Sequence, residues 1–519
     1  MSKPLNVLMV ITDQQRADNN GFMGNKILQT PSFDKLSETG MVFDSGWVSN
    51  PVCMPNRSTM LTGRMPSAHG VVFNDRSLDW EANTFVKRFR KSGYRTGLIG
   101  KSHLQHGVSK NAMIPFRGEA STGSTHPKGW DQVEDFERYL DGLPSDPADF
   151  YGFDHIELSL DHGANIAGHH FQWALAKGAK REDLIVDQDV LDTGSDRSDQ
   201  WRQIYRPPYA EEFHSTRFVT ERTIDFIEKA EQEDKPWLTW CSFPDPHHPM
   251  TPPGKWFDMY QAKDMLLSES RHDPLTDAPA HLKLFAGTHP RDQRNWVTPC
   301  GYGSDELLAE AMAATYGQIS MIDDGVGQIL ARLDELGIRD DTIVVFTSDH
   351  GDMMGDHSLF LKGFMHYRGT LQVPMVIDAP GYAAGRTDSL ASSIDLAPTL
   401  LDLCGIKGYD GIQGKSLAPI LADGAVAVRD SVLIEDDVPM ITAKLTPIPA
   451  RIRTLITEQF QYTRNSKGEE QLFDLQADPL QMDNIAGSSS HKSQILTALT
   501  DAMMLADDSS RGAPSTEEI

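Results

Sequence analysis

Short runs of apolar residues alternate along the chain with amphipathic stretches at helical spacing. The clearest runs are Asn6 to Ile11, Arg95 to Ile99, Trp237 to Phe243 and Thr342 to Thr347. Such runs, bounded by glycine or polar residues, are typical of strands that helices cover on both faces. We therefore predict an α/β fold with a large, mostly parallel sheet flanked by helices.

One long helical pattern stands out in the second half of the chain. It begins at Ser304, which offers a capping hydroxyl before two first-turn acids, and its apolar periodicity continues to Leu333. Gly337 marks its end. The glycine pair Gly325 and Gly327 leaves open whether the segment forms one helix or two.

Beyond about residue 405 the pattern changes to short strand-like pieces separated by turn-forming residues. These pieces are Ser431 to Glu435, Ala450 to Thr457, Phe460 to Thr463 and Gln471 to Leu475. They predict a small antiparallel sheet, followed by a helix from Ser490 to Leu505 and a mobile, acidic tail. A chain of 519 residues exceeds one typical domain. We expect an α/β domain over residues 1–405 and a C-terminal α+β subdomain over residues 406–519.

The charge balance limits the classes of partner. A formal net charge of −26 disfavours nucleic acid and anionic membranes, since both are negative. A small anionic substrate then requires cations gathered locally. The apolar run from Leu5 to Ile11 is too short to span a membrane and lacks the basic leader of a signal peptide. We therefore expect a cytoplasmic protein without membrane association.

The chain contains four widely separated cysteines. They are Cys53, Cys241, Cys300 and Cys404, with no Cys-x-x-Cys pair. In a chain that we expect to be cytoplasmic, this spacing predicts single thiols instead of disulfides. Considered alone, each is a small hydrophobic residue of the core.

Polar residues follow the four predicted strands, where ligands collect in parallel sheets. They are Asp13 and Gln14, then Lys101 and His103, then His247, and finally Asp349 and His350. Two carboxylates, an amide oxygen and an imidazole form a plausible set of metal ligands. The oxygens suit calcium or magnesium, while the imidazole shifts the preference toward manganese.

The stretch Cys53-Met54-Pro55-Asn56-Arg57, followed by Leu61-Thr62-Gly63-Arg64, resembles the signature of the sulfatase family in the alkaline phosphatase superfamily. The resemblance extends in order over most of the chain. Further matching blocks are Gly100-Lys101-Ser102-His103-Leu104, Pro246-His247-His248-Pro249, Ser348-Asp349-His350-Gly351-Asp352 with Gly355, His357 and Lys362, and Leu472-Phe473-Asp474-Leu475 with Asp478-Pro479 and Asn484. The resemblance implies a formylglycine-dependent hydrolase with an alkaline phosphatase-like fold.

In that family the cysteine is converted to formylglycine by a formylglycine-generating enzyme. The hydrated aldehyde attacks the sulfate ester, and its second hydroxyl then expels sulfate by C–O cleavage. The resemblance implies that one divalent cation is held by Asp13, Gln14, Asp349 and His350. Arg57 would orient the hydrated aldehyde, while Lys101 and Lys362 would bind sulfate oxygens. His103 would accept a proton, and His247, with Lys362, would protonate the leaving alcohol or phenol.

Two departures from the common family pattern keep alternatives open. Gln14 and His350 stand where many sulfatases carry Asp and Asn, which resembles choline sulfatases and phosphonate monoester hydrolases and favours manganese over calcium. The leading prediction is an arylsulfatase-like hydrolase of small-molecule sulfate esters. The alternatives are a phosphonate monoester or phosphodiester hydrolase, against which Lys101 and His103 argue, and a catalytically inactive anion-binding protein. The natural alcohol and the oligomeric state, monomer or homo-oligomer, stay open.

The segment from about residue 111 to 208 is rich in Gly, Asp and His and has weak periodicity. Long irregular insertions of this kind are often lids or binding loops. Its histidines His162, His169 and His170 are candidates for substrate contact, with ordinary surface or packing roles as the alternative. We expect this segment and residues 364–368 to set substrate specificity.

Overall fold

Strands and helices alternate along the part of the chain that the computed structural model describes, which is residues 4–105, 126, 129–145, 147, 149–185, 198–290, 299–438, 443–444 and 446–507. The strands are β1 Asn6–Thr12, β2 Met41–Phe43, β3 Gly46–Trp47, β4 Arg95–Gly100, β5 His155–Leu160, β6 Ala167–Gly168, β7 Trp237–Ser242, β8 Cys300–Gly301, β9 Thr342–Ser348, β10 Leu359–Phe360, β11 Met375–Asp378, β12 Gly385–Thr387, β13 Ala391–Ser392, β14 Val432–Asp437, β15 Arg451–Ile456, β16 Phe460–Asn465 and β17 Glu470–Asp474. The helices are α1 Pro31–Thr39, α2 Cys53–Thr62, α3 Pro66–His69, α4 Phe85–Lys91, α5 His169–Ala176, α6 Arg181–Leu184, α7 Ser215–Gln232, α8 Lys255–Asp258, α9 Ala280–Ala286, α10 Asp305–Glu335, α11 Arg368–Leu371, α12 Leu396–Leu403, α13 Ala418–Ala422 and α14 Lys492–Ala506.

The large sheet has nine strands in the order β12-β2-β11-β9-β1-β7-β4-β5-β6. The four strands predicted from apolar runs lie together at its centre and pair in parallel, β9 with β1, β1 with β7, and β7 with β4. Antiparallel pairing occurs towards the edges, where β11 joins β9 and β6 joins β5. The predicted α/β fold with a mostly parallel sheet is therefore confirmed.

Helices cover both faces of this sheet. Along β1, Val7, Met9 and Ile11 face one core cluster, which also contains side chains of α2, α4 and α12. The alternating residues Leu8 and Val10 face a second cluster, built with α1, α7 and α10. Because β1 is buried on both faces, its sequence is a continuous apolar run without alternation.

The predicted helix after Ser304 is a single helix of 31 residues, α10. The Ser304 side chain caps it by accepting a hydrogen bond from the backbone of Leu307 at 3.2 Å. The glycine pair Gly325 and Gly327 allows other elements to pack closely. A Cβ on Gly325 would lie 2.3 Å from Thr220 Oγ1, and one on Gly327 would lie 2.5 Å from Ser32 Oγ. Close approach by α7 and by Ser32 on α1 thus explains both glycines inside one helix.

The C-terminal strands β14 to β17 form the predicted antiparallel sheet, against which α14 packs. This sheet contacts the loop before α2 through a hydrogen bond from Glu435 N to Ser49 O at 2.9 Å. Asp436 accepts the backbone N–H of Phe364 at 2.8 Å, and residues 364–367 are buried beside the sheet. The predicted boundary between residues 405 and 406 stays a prediction. Residues 508–519 of the predicted tail lie outside the described residues.

Two further expectations concern thiols and membranes. All four cysteines are free, as the sequence predicts. Among the helices described, none combines the length and the apolar character that crossing a membrane requires.

Candidate active site

The carboxyl ends of β1, β4, β7 and β9 lie side by side and bring the predicted site residues together. Backbone hydrogen bonds continue the sheet past the strand ends, from Asp13 N to Asp245 O at 3.1 Å and from Lys101 N to Ser242 O at 2.8 Å. Gly351, next to His350, allows the backbone of Gly369 to pack closely here, because a Cβ would lie 1.9 Å from Gly369 O. All ten predicted residues converge at this edge, although their individual roles stay predictions.

Cys53 is the first residue of α2 and is 1% exposed. Lys362 Nζ donates to its Sγ at 3.0 Å, and His350 Nε2 lies 3.2 Å from the same sulfur. Burial and the Asp13 carboxylate raise the pKa of the thiol, but Lys101, Lys362 and His350 outweigh them and hold that pKa well below its usual value. The positive end of the α2 dipole also favours an anion at this position.

Four potential ligand atoms, from Asp13, Cys53, Asp349 and His350, lie within 4.8 Å of one another. His350 Nδ1 donates to Gly351 O at 2.9 Å, which leaves the Nε2 lone pair directed at the cluster. This is the arrangement in which a neutral histidine coordinates a metal.

Gln14 adds an unused oxygen beside this cluster. Its backbone is left-handed (φ 68°), its N–H donates to Asp349 Oδ1 at 3.1 Å, and its amide nitrogen donates to Asp352. Its Oε1 is buried and has no hydrogen-bond partner among the described residues. A buried acceptor without a partner is costly. Two carboxylates, an imidazole and this oxygen therefore fit a divalent cation.

Arg57 ties three of the strand ends together. Its Nε donates to Asp349 Oδ2 at 2.6 Å, and its NH1 group donates to Lys101 O at 3.0 Å and to Ser242 Oγ at 2.8 Å. The third nitrogen, Nη2, lies 3.6 Å from Asp13 Oδ2. The guanidinium is fully buried, so these bonds are what makes its charge tolerable.

Two lysines supply the local positive charge that an acidic protein needs to bind an anion. Lys101 Nζ contacts Asp13 Oδ2, and Lys362 Nζ lies 3.8 Å from Asp13 Oδ1. Burial opposes ionisation of Asp13, but the two ammonium groups hold the pKa of this carboxyl well below its usual range. With Arg57, they make a cationic pocket around the Cys53 thiol.

The predicted acid–base histidines are neutral in the absence of substrate; His247 is buried and His103 is half-buried. Burial, and then the Lys101 ammonium, lower the pKa of His103 to about 3. Burial, and then His162 and Lys362, lower the pKa of His247 well below its usual value. His247 Nδ1 donates to His248 O at 2.5 Å, so its Nε2 carries a lone pair. Both rings can therefore accept protons.

Of the three histidines singled out in the irregular segment, only His162 lies at the site. Its ring stacks on that of His247, with centroids 3.7 Å apart, and contacts Lys101. His169 instead accepts a backbone hydrogen bond from Leu158, and His170 bonds to Ser159 and to Phe213 O. No local pattern distinguishes the three, because the difference arises from where β5 and α5 place them.

Glu134 is a functional candidate that the sequence did not reveal. Its buried carboxylate accepts four hydrogen bonds of 2.9 Å, from Ser102 Oγ and from the backbone N–H groups of residues 103, 104 and 105. It thereby fixes the loop that carries Lys101 and His103, and it holds His103 in a left-handed conformation (φ 54°). Its signal in the sequence is a single acid in an irregular segment.

A cavity of about 270 Å³ opens beside Lys101 and His103. Its apolar lining comes from Phe136, Leu160 and Ala167, and its polar lining includes Asp161 and His162. An apolar recess next to a cationic pocket suits the ring of a sulfate or phosphate ester. Much of the predicted specificity segment, namely residues 111–125, 127–128, 146, 148 and 186–197, lies outside the described residues.

Comparison with known proteins gives consistent matches over the whole chain. The family model for sulfatases matches residues 5–406, and a model described as the C-terminal region of N-sulphoglucosamine sulphohydrolase matches residues 355–508. An arylsulfatase from Clostridium perfringens is 30% identical, covering 94% of this chain and 92% of that protein. The multifunctional alkaline phosphatase superfamily protein PehA from Trinickia caryophylli is 28% identical, with coverage of 94% and 92%.

The fold has the same relatives among solved structures. The phosphonate monoester hydrolase of Agrobacterium radiobacter superimposes with a TM-score of 0.76 at 24% identity, covering 96% of this chain and 95% of that one. The alkaline phosphatase-like architecture follows from this similarity together with the nine-stranded sheet.

Proposed function

The chain belongs to the sulfatase family and is a sulfuric ester hydrolase, and from this premise we propose that it cleaves aryl sulfate monoesters through a formylglycine made from Cys53. The observation that carries the proposal is the position of Cys53, whose Sγ lies 3.0 Å from Lys362 Nζ and 3.2 Å from His350 Nε2. A side chain that attacks the sulfur of a sulfate ester must lie among positive charges that bind the anion. Among the four cysteines, all of them in the described part of the chain, Cys53 alone has that environment.

The residues around Cys53 supply binding and orientation. Lys101 and Lys362 bind sulfate oxygens and stabilise the charge that develops on them in the transition state. Arg57, fixed by Asp349 and Ser242, holds the N-terminal turn of α2 and orients the residue at position 53. The hydrated aldehyde would supply two hydroxyls on one carbon, so that sulfate leaves without a second attack by water.

Asp13, Gln14, Asp349 and His350 would hold one divalent cation. The cation would supply a Lewis acid that lowers the pKa of a hydroxyl and polarises a sulfate oxygen. A set that includes an imidazole and an amide oxygen favours manganese over calcium.

Two histidines move the protons of the reaction. His103 is neutral, so it can accept the proton that is released when sulfate is expelled. His247 lies within 4.8 Å of Asp13 and, once protonated next to the bound sulfate anion, donates to the oxygen of the departing phenol. The apolar cavity beside Lys101 accommodates the aryl ring.

The second candidate is a phosphonate monoester hydrolase that uses the same residues. Sulfate and phosphonate esters share a tetrahedral centre, and the 28% identical relative is described as multifunctional. The pair Gln14 and His350 is the feature of this chain that favours it. Lys101 and His103 favour the sulfatase, because the resemblance places neutral hydroxyl residues there in phosphonate enzymes.

Mass spectrometry of the peptide that contains Cys53, together with rates on aryl sulfate and aryl phosphonate monoesters, tests the proposal. We expect formylglycine at position 53, faster turnover of the sulfate ester, and no turnover by Cys53→Ala. An unmodified cysteine in active protein would refute the mechanism. Faster phosphonate turnover would reverse the substrate assignment. An unmodified Cys53 with no turnover of either ester would leave the inactive anion-binding protein.

A further inference from the structure

His162 belongs to none of the motifs that define the site, yet it lies among their side chains. It follows β5 in a turn, and its Nε2 is 3.7 Å from Asp13 Oδ2 and in hydrogen-bond contact with Lys101 Nζ. Its ring stacks on His247 with an interplanar angle of 18°. It also lines the cavity beside Lys101.

The hydrogen bonds of His162 determine its tautomer. A lysine ammonium can only donate, so Nε2 of His162 must be the unprotonated acceptor. The ring proton is therefore on Nδ1, which lies 3.3 Å from Asp161 Oδ1. The same carboxylate oxygen accepts the backbone N–H of His162 at 2.9 Å. Asp161, His162, Lys101 and Asp13 thus form one chain of polar contacts.

The turn that carries His162 is held in place by its backbone. Asp161 has a left-handed conformation (φ 70°), and so has Gly163 (φ 53°). A Cβ on Gly163 would lie 2.4 Å from Pro249 O. The turn therefore packs directly against the loop that carries His247, so the position of His162 relative to His247 is fixed.

We propose that His162 is a positioning residue that holds Lys101 in the geometry that the sulfate ester requires, an inference that rests on the proposed function. A lysine ammonium has three N–H groups. Asp13 accepts one and His162 accepts another. The third is left for a sulfate oxygen. Without His162, the ammonium has no second acceptor among the described residues to keep it from turning toward Asp13 alone.

Two variants separate the two contacts that His162 makes. His162→Phe keeps a ring to stack on His247 but removes the acceptor for Lys101. His162→Gln keeps an acceptor near the position of Nε2 but removes the stacked ring. We expect His162→Phe to lower kcat for an aryl sulfate by roughly 10- to 100-fold, as misplaced catalytic groups do, and His162→Gln to recover most of this loss. We also expect a weaker inhibition constant for inorganic sulfate in His162→Phe.

The decisive measurement is a double-mutant cycle with Lys101→Met. If His162 acts through Lys101, His162→Phe lowers kcat/KM by no more than about twofold in the Lys101→Met background. An equal loss in both backgrounds, or a His162→Gln variant as slow as His162→Phe, would overturn the proposal. His155→Phe is the matched control. His155 lies on β5, the strand before the turn that carries His162, and it bonds to Glu157 and stacks on Phe226 away from the site.

The wild-type rates keep this inference distinct from the proposed function. A wild-type protein that does not cleave aryl sulfate refutes the proposed function. A wild-type protein that does, with an unchanged His162→Phe variant, refutes only the role of His162. Thermal unfolding shows whether each variant is folded. If His162→Phe does not fold, the smaller His162→Asn, which cannot reach Lys101 in the same way, takes its place with the same expected loss.

Discussion

Replacing Glu134 by glutamine removes one hydrogen-bond acceptor from the loop that carries Lys101 and His103. Oε1 of Glu134 accepts from Ser102 Oγ and from the N–H groups of residues 104 and 105, while the one donor to Oε2 among the described residues is His103 N. A glutamine that keeps its oxygen on the first three donors turns its NH₂ group toward His103 N. The new NH₂ group and the His103 N–H, which are both donors, then face each other. His103 is the residue that we propose accepts a proton in the reaction.

The expected size of the effect follows from these contacts. A hydrogen bond to a charged acceptor contributes about 1.5–3 kcal/mol, and this one is replaced by a donor–donor contact. Removing the charge offsets part of the loss, because burial raises the pKa of Glu134 and so disfavours its ionised form. We expect a net loss of about 1–3 kcal/mol in the free energy of unfolding. A displacement of His103 by ~1 Å lowers kcat by on the order of 100-fold.

Steady-state rates on an aryl sulfate and urea unfolding measure the two effects. We expect Glu134→Gln to reduce kcat strongly and KM only slightly, since the cationic pocket around Cys53 is unaltered. Glu137→Gln, an exposed residue of the same segment, is the control and should match the wild type. A Glu134→Gln variant with wild-type kcat would show that the hydrogen bond to His103 N does not position that ring.

Three further predictions concern the metal, a buried acid and a glycine. Dialysis against a chelator should lower both the activity and the thermal midpoint, because a bound cation stabilises only the folded state. Manganese should restore both better than calcium. Equal activity and equal thermal midpoints before and after dialysis would argue against the metal site. Asp323 accepts the N–H groups of Ser32 and Phe33, and burial raises its pKa from 3.8 to about 6. Between pH 3.8 and about 6 the folded protein therefore holds a proton there that the unfolded chain has lost. Wild-type stability relative to Asp323→Asn should fall by roughly 2 kcal/mol as the pH rises from about 4 to 6 and become level above about pH 7; a difference that does not vary with pH in urea unfolding would refute this. Gly351→Ala should lower the free energy of unfolding by about 1–3 kcal/mol and weaken manganese binding, because the added Cβ would lie 1.9 Å from Gly369 O. Gly487→Ala is the control, since a Cβ there meets no described atom within 4 Å, and it should have neither effect. Calorimetry measures both quantities.

Much of the fold could be predicted because the central strands carry a strong local signal. Strands buried on both faces, such as β1 and β9, are continuous apolar runs, and the residues after them lie at one edge by the geometry of a parallel sheet. The convergence of Asp13, Lys101 and Asp349 therefore follows from the sequence. The two-residue strands β3, β6, β8, β10 and β13 do not, since two residues carry no periodicity and pair only through tertiary context.

The supporting residues of the site were harder to predict for a different reason. Glu134 and His162 lie in a segment without periodicity, and their partners are 29 to 32 and 61 residues distant in the sequence. A hydrogen bond between such residues leaves no local pattern. Asn56 is similar: its amide donates to Asp349 O and its carbonyl accepts from Ser49 N at 3.1 Å, so it stabilises the motif that contains it.

The central place of β1 in the sheet also determines the order in which the protein can be completed during synthesis. β1 pairs with β7 on one side and β9 on the other, so the pocket around position 53 cannot close until Ser348, 295 residues later, has been added. At about 5–20 residues per second, translation of that stretch lasts roughly 15–60 s. In the finished protein Cys53 is 1% exposed. An enzyme that modifies this thiol therefore has at least that interval in which to reach it, before the pocket closes around it.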